Sequence, residues 1–315
     1  MDNAFILMDR LQKIRQIINK YGEDNFYISY SGGKDSNVLS TLIDMALPDN
    51  RIPRVYCNTG IEYKAIVDFV KAKVDADDRF VIIQPKVPIK RMLEEKGYPF
   101  KSKFHARIVA TYKRKGKDNL TVMRYLKQDP NVEKYFSENC CPKSLEYQFS
   151  ENDGLTFKIS DKCCHELKVN PLTEYQKSHN KTIKIIGIMA DEGGRRAMHA
   201  KFQGNVGCLA FGGKKDNPHT FKPLYPLTKS WEDWFISEYK IDLPILYYPP
   251  YNFERTGCKG CPFAQDLQHE LDILKIMFPA EYKQCEYIWK PVYDEYRRLG
   301  YRLRKVDENQ ISFFD

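Results

Sequence analysis

The residues best able to do chemistry are Ser31-Gly32-Gly33-Lys34-Asp35-Ser36. Paired glycines let a backbone turn tightly and let an anion reach the amides with no Cβ in the way. A helix starting there adds free N–H groups and the positive end of its dipole. Ser31 and Ser36 contribute hydroxyls, Lys34 a charge, and Asp35 a carboxylate suited to Mg2+. A Gly-Gly turn with a Ser/Asp helix cap would use the same residues without any ligand. Six such residues between a strand and a helix favour phosphate. The spacing is not G-x-x-x-x-G-K-[ST], so this is not a Walker A loop.

Cysteine supplies the second chemistry. Cys258 and Cys261 have the spacing of two ligands on one tight loop, and Cys163-Cys164 adds an adjacent pair. Four thiolates suit zinc or an iron–sulfur cluster. Cys140-Cys141-Pro142 is a second tandem pair able to replace or assist the first. Buried free thiols are the plain alternative.

Charge supplies the third. The net charge is +8, and residues 86–117 alone hold eleven Lys and Arg against two Glu. Lys101, Lys103, His105, Arg107, Lys113, Arg114, Lys115 and Lys117 surround Phe100, Phe104 and Tyr112. Cations contact phosphates and rings stack on bases, so Lys103, Arg107, Lys113, Arg114 and Lys115 are candidate nucleic-acid contacts. An amphipathic helix with inward aromatics fits the same pattern, and Ser102-Lys103 also suits the nucleotide phosphates.

These groups need a scaffold. Residues 26–30, 53–57, 80–83 and 183–188 read as strands, and 34–47 and 63–74 as helices, an α/β alternation with a mostly parallel sheet. Leu7, Leu11, Ile14 and Ile18 form one stripe of a first helix, not a signal peptide. No apolar run approaches the roughly 20 residues needed to cross a bilayer, which excludes a membrane-spanning helix and points to the cytoplasm. Residues 86–180 read as a basic, helical insertion. From about 202, Gly, Pro and Tyr punctuate short elements, and 280–304 returns to a helical pattern.

The Ser31-to-Ser36 run resembles the PP-loop of the ATP pyrophosphatase superfamily, in its phosphoadenosine-phosphosulfate (PAPS) reductase-like branch. Further segments resemble that branch in order. They are Asn58-Thr59-Gly60-Ile61-Glu62, Cys163-Cys164-His165-Glu166-Leu167-Lys168, and Gly187-Ile188-Met189-Ala190-Asp191-Glu192 with Arg195 or Arg196. Then come Gly207-Cys208-Leu209-Ala210-Phe211, Pro226-Leu227, Trp231, and Gly257-Cys258-Lys259-Gly260-Cys261-Pro262-Phe263. The similarity runs from about 26 to 282. It implies an adenine-nucleotide alpha-hydrolase-like three-layer α/β/α sandwich, with a cysteine-containing helical C-terminal part.

The resemblance also implies roles. ATP would be bound by Ser31, Gly32, Gly33, Lys34, Asp35, Ser36, Asn58, Thr59, Gly60 and Asp191. Lys34, Asp35, Arg195 and Arg196 would be catalytic, with Mg2+. The arrangement of Cys163, Cys164, Cys258 and Cys261 resembles the [4Fe–4S] ligand set of adenylyl-sulfate reductases, with Zn2+ as the alternative. The reductases carry their catalytic cysteine in a C-terminal Glu-Cys-Gly motif, whereas the last cysteine here, Cys285, lies between Gln and Glu. The expectation is a nucleotide-binding domain over 1–200 and a C-terminal region over 201–315. The enzyme would cleave ATP to AMP and pyrophosphate, adenylating nucleic acid for sulfur transfer, with a sulfur-donor protein as partner. This resembles the ATP-pyrophosphatase components of DNA phosphorothioation or tRNA thiolation. The alternatives are a PAPS or adenylyl-sulfate reductase with an unusual thiol, and a non-catalytic, metal-stabilised nucleic-acid-binding module.

Overall fold

The structure, a computed structural model, describes residues 2–128, 140–190, 208–211 and 218–305. Among these the strands are β1 (Phe26–Tyr30), β2 (Arg54–Cys57), β3 (Phe80–Ile83), β4 (Ile183–Ile185), β5 (Leu209–Phe211) and β6 (Pro218–Phe221). The first helices are α1 (Asn3–Tyr21), α2 (Lys34–Ala46), α3 (Lys64–Ala76), α4 (Ile89–Lys96) and α5 (Lys103–Lys115). They are followed by α6 (Leu120–Tyr125), α7 (Asn170–Ser178), α8 (Lys229–Glu238), α9 (Leu267–Met277) and α10 (Pro279–Leu299).

The chain forms two compact units: Met1–Pro85 with Lys168–Thr256, and Lys86–Leu167 with Gly257–Asp315. The division therefore falls elsewhere than at 200. The first segment of the second unit ends at Leu167, whereas the insertion read from sequence runs to about 180. The chain then returns to the sheet and leaves it again after Thr256, a crossing that composition does not mark.

The first unit is an α/β fold. Its six-stranded sheet has the order β3-β2-β1-β4-β6-β5. Every neighbouring pair is parallel except β5 and β6. β1 is central, so Phe26, Tyr27, Ile28 and Tyr30 are all buried, the near-continuous apolar run of a strand covered on both faces. Strand order reverses at β1. Right-handed crossovers then place α2 and α3 on one face and α7 on the other, where Tyr175 and Leu172 pack with Tyr27 and Val55. α1 starts on an Asp2 cap and buries Leu7, Leu11, Ile14, Ile17 and Ile18, the stripe read from sequence plus Ile17. Each such side chain contributes about 1.5–3 kcal/mol by leaving water.

The second unit is held by aromatic rings. Phe100 meets Tyr296 at 4.7 Å, Tyr112 meets Phe149 at 5.6 Å, and Tyr125 meets Phe149 at 5.9 Å between centroids. α10 buries Cys285, Ile288, Trp289, Val292, Tyr293 and Tyr296, one stripe at helical spacing.

Candidate functional site

Residues 31–33 connect β1 to α2 at the carboxyl end of the central strand. Open α/β sheets bind ligands there, at the point where strand order reverses. Gly33 is the N-cap of α2 and brings no side chain of its own to cap the helix, and of the first-turn amides that of Lys34 donates to Tyr247 Oη. The loop is shaped by its own polar groups. The Gly33 amide donates to Ser31 Oγ at 3.3 Å, Ser36 Oγ donates to the Gly33 carbonyl at 2.8 Å, and Asn37 Nδ2 donates to the Gly32 and Gly33 carbonyls. Tyr30 fixes Asn37 through a 2.6 Å bond from its hydroxyl.

The two glycines have different jobs. Gly32 sits at φ +73°, and an added Cβ would stand 2.9 Å from the Ile66 and Val70 methyls of α3. It is a glycine for the turn and for close packing. That corrects the expectation that a methyl on Gly32 would obstruct a phosphate. Gly33 has ordinary backbone, and its missing Cβ faces Tyr247 Oη at 3.1 Å and Ser31 Oγ and Thr256 Oγ1 at 3.3 Å. Tyr247 also accepts from the Lys34 amide at 3.2 Å and bonds Thr256 at 2.6 Å. Neither residue stands out in the sequence. A third glycine, Gly187 after β4, is required because a Cβ there would lie 2.9 Å from the Asp35 carbonyl oxygen.

Lys34 turns toward α8, where its Nζ lies 3.1 Å from Asp233 and 3.4 Å from Glu232. Burial works to lower the Lys34 ammonium, but those two carboxylates outweigh it and hold it above its ordinary value. Glu232 is 1% exposed, and its Oε1 is buried with no hydrogen-bond partner. Burial, then the neighbouring Asp35 charge, pushes its carboxyl up to about 7 against the pull of Lys34. Lys34, Asp35, Met189, Lys229, Glu232, Glu254 and Arg255 line a cavity of about 200 Å3. On α8 the sequence marks only Trp231, the neighbour of Glu232. A glutamate one turn into an amphipathic helix reads as solvent-facing until the tertiary fold buries it.

The loop after β2 lies alongside, since β2 pairs with β1 in register Tyr30↔Tyr56. Thr59 is buried, and its amide and hydroxyl both donate to Glu62 at 2.9 and 2.7 Å. Glu62 in turn pairs with Lys168 at 3.2 Å. Gly60 turns at φ +84° with open space beside it, its amide donating to Asn58 at 3.1 Å. Thr59 is thus committed to shaping its loop, and Gly60 is the part of the loop with open space beside it. Asp191, Arg195 and Arg196 lie outside the described residues.

In the second unit, Cys163, Cys164, Cys258 and Cys261 share one neighbourhood. The Cys163 and Cys164 sulfurs are 4.0 Å apart. Contact with Cys164, burial, and the charges of Cys164, Cys261 and Cys258 raise the Cys163 thiol well above its usual range. Burial, then Cys258, raises Cys261 likewise. Thiolates gathered this closely repel one another unless a cation lies among them, so the donor set fits zinc or an iron–sulfur cluster. Among the described residues no group of three or more His, Cys, Asp or Glu is spaced to hold a metal ion as it stands, so the single ligand sphere expected is a neighbourhood only. Cys140 and Cys141 lie instead beside Lys101, where burial pushes the Cys141 thiol up to about 12.

A clamp that no local motif announces fixes the Cys258–Cys261 loop. From α10, Trp289 Nε1 donates to the Lys259 carbonyl at 3.1 Å, Tyr293 to Gly260, and Tyr296 to Pro262 at 2.9 Å. Gly260, at φ +60°, has no room for a Cβ under Tyr293 and Cys285.

The basic segment is partly neutralised. Arg107 pairs with Asp161 at 3.0 Å and Lys113 with Asp153 at 2.6 Å, partners that lie beyond residues 86–117. Lys103, Arg114 and Lys115 are exposed. Phe100 and Tyr112 are buried, so they serve the core and not base stacking. Ser102 caps α5 by accepting from the His105 amide.

No protein-family model matches the chain. An uncharacterised protein of Methanocaldococcus jannaschii is 33% identical over 103 residues, 30% of this chain and about a quarter (25%) of that protein's length. Among solved structures, the chain is similar to a phosphoadenylyl-sulfate (PAPS) reductase from Candida auris in a phosphate complex. The identity is 13% over 75% of this chain and 88% of that one, with a TM-score of 0.37. It is similar to an NH3-dependent NAD synthetase from Campylobacter jejuni with nitrate, at 15% identity over 93% and 96% and a TM-score of 0.37. It is also similar to a U34-tRNA thiolase from Methanococcus maripaludis with its [4Fe–4S] cluster, at 16% identity over 99% and 84% and a TM-score of 0.39. Among the described residues no helix is long and apolar enough to cross a membrane.

Proposed function

We propose that this chain binds ATP over residues 31–36 and cleaves it between the α- and β-phosphates, transferring AMP to a substrate oxygen and releasing pyrophosphate. The observation that carries this reading is the N-terminus of α2, at the carboxyl end of the central strand, where Gly33 as N-cap brings no side chain of its own over the first turn. Catalysis of this kind is mainly positioning and neutralisation of phosphate charge. The amides of the first turn and the Ser31 hydroxyl bind phosphate oxygens, and Lys34 leaves its carboxylates to join them. Asp35 would hold Mg2+, which when bound would offset the charge on the leaving pyrophosphate. Arg195 and Arg196 add cations to that group, and Asn58, Thr59, Gly60 and Asp191 border the nucleotide.

The substrate in this reading is nucleic acid, and the outcome is sulfur insertion by displacement of AMP, with sulfur from a donor protein. The exposed Lys103, Arg114 and Lys115 and the four-thiol neighbourhood support it. Cys163, Cys164, Cys258 and Cys261 suit a [4Fe–4S] cluster, with Zn2+ as the alternative. A reductase needs an accessible thiolate. Cys285 is fully buried and its thiol is pushed up to about 12, so it does not fill that role.

ATP labelled at the α-phosphate, incubated with single-stranded DNA or RNA, tests this. Pyrophosphate release with label passing to the nucleic acid is expected. Neutralising Lys103, Arg114 and Lys115 together should flatten the salt dependence of binding, by about one unit of logarithmic slope for each phosphate left unpaired. No pyrophosphate under any condition would reject the activity. Release without label transfer or nucleic-acid binding would reject the substrate alone.

A further inference from the structure

We propose that Glu232 is the second protein carboxylate, with Asp35, that holds the divalent cation accompanying the nucleotide. The choice of ATP as companion rests on the function proposed above; the carboxylate pair rests on the geometry alone.

Glu232 lies in the first turn of α8, which Thr228 caps through a bond to the Trp231 amide. It is 1% exposed, faces the Asp35 carboxylate, and lines the same cavity of about 200 Å3. Its two oxygens differ. Oε2 lies 3.4 Å from Lys34 Nζ, and Oε1 is buried with no hydrogen-bond partner. Burying a carboxylate beside another carboxylate is costly unless a cation repays it.

Pairing Lys34 does not require Glu232. Asp233, 55% exposed, already does so at the shorter distance of 3.1 Å. Lys229 is 3.7 Å from Glu254. When Lys34 turns to a phosphate, the neighbouring Asp35 and Glu232 carboxylates are left without their ammonium. One or two carboxylates, substrate phosphate oxygens and waters are the ligands Mg2+ prefers. Asp35 lies in the first turn of α2, and Glu232 reaches the same cavity from the first turn of α8. A cation between them would touch phosphate and both carboxylates together.

Mn2+ is the probe, read by its paramagnetic resonance signal in the full chain, alone and with α,β-methylene ATP, which cannot be cut at that bond. Glu232→Gln keeps size and one oxygen. It should weaken Mn2+ by about tenfold or more while leaving metal-free analogue binding within about threefold. Asp35→Asn should do the same, and Asp233→Asn should leave Mn2+ affinity unchanged. Wild-type Mn2+ affinity in a folded Glu232→Gln would overturn the proposal.

A measurement on the unaltered chain covers a variant that fails to fold. Fe2+ bound in place of Mg2+ cuts the backbone near its ligands under peroxide and ascorbate. Cuts close to both 35 and 232, suppressed by Mg2+, are expected, and cuts near 35 alone would overturn it. Analogue binding with Glu232-independent Mn2+ defeats the proposal and spares the ATP reading. Glu232-dependent Mn2+ binding without analogue binding does the reverse.

Discussion

His105 makes the second unit sensitive to acid in a calculable way. Its ring is fully buried, with Nδ1 2.8 Å from Tyr125 Oη and Nε2 2.7 Å from Gln148 Oε1. The Gln148 oxygen only accepts, so Nε2 carries the proton and Nδ1 accepts from the tyrosine in the neutral ring. Burial, with a smaller push from the Lys101 charge and against the pull of Gln148, lowers its pKa from 6.5 to about 4. Above about 6.5 both folded and unfolded chains hold neutral imidazole, and the full stability is present. Between about 6.5 and 4 only the unfolded chain takes the proton, so stability falls as pH falls, by up to about 1.4 kcal/mol per unit. The total is about 3 kcal/mol, a large part of a typical domain's stability. Urea unfolding followed by the fluorescence of Trp289, buried in the same unit, should show this loss. His105→Asn should be less stable near neutrality but lack that one-proton slope. Parallel pH profiles for the two proteins from about pH 7 to 4 would show that the buried ring is protonated as readily as a free one, and the reasoning fails.

The glycines give a paired test. Gly32→Ala, strained at φ +73° and crowded by Ile66 and Val70, should cost stability by about 1–3 kcal/mol. Gly33→Ala, whose Cβ would meet Tyr247 Oη at 3.1 Å and the Ser31 and Thr256 oxygens at 3.3 Å, should cost less, about 1 kcal/mol, and weaken analogue binding, and normal binding by a folded Gly33→Ala would refute the placement of phosphate at that turn. Protein purified without oxygen should contain iron and sulfide, or zinc, and lose it to a chelator. Cys164→Ser and Cys258→Ser should each abolish the metal. Retention of full metal content by either would show that the two cysteine pairs do not act together.

The strand–loop–helix unit around residue 31 is legible in the sequence because each part is local. β1 and β3 have the bounds that apolar runs indicate, and α2 and α3 follow the helical rows of Leu, Ile and Val. β2 and β4 are shorter than their apolar runs, at four and three residues. The short edge pair β5 and β6 escapes sequence reading, since three- and four-residue strands leave little periodicity to detect. The site is legible only as far as it is contiguous. Tyr247, Thr256 and Glu232 reach the loop from more than 190 residues away, and nothing local marks a Tyr, a Thr or a Glu for that position. The basic segment misleads in the opposite direction. Arg107 and Lys113 look free in the sequence because Asp161 and Asp153 lie 54 and 40 residues further on.

The second unit is assembled from two stretches of chain separated by Lys168–Thr256. Its first stretch therefore emerges from the ribosome long before its partner exists. Lys101, whose amide bonds Tyr296, waits for a residue made 195 positions later. At about 5–20 residues per second, that is an interval of about 10–40 s. Throughout it, Phe100, Tyr112, Tyr125 and Phe149 lack α10, and the loop that carries Cys258 and Cys261 has not been synthesised. Translation that stalls between 167 and 257 would release a chain with a sticky aromatic cluster and half a set of thiols. Such a product is a natural client for chaperones and proteases, and a metal that needs all four thiols can enter only after Cys261 has emerged.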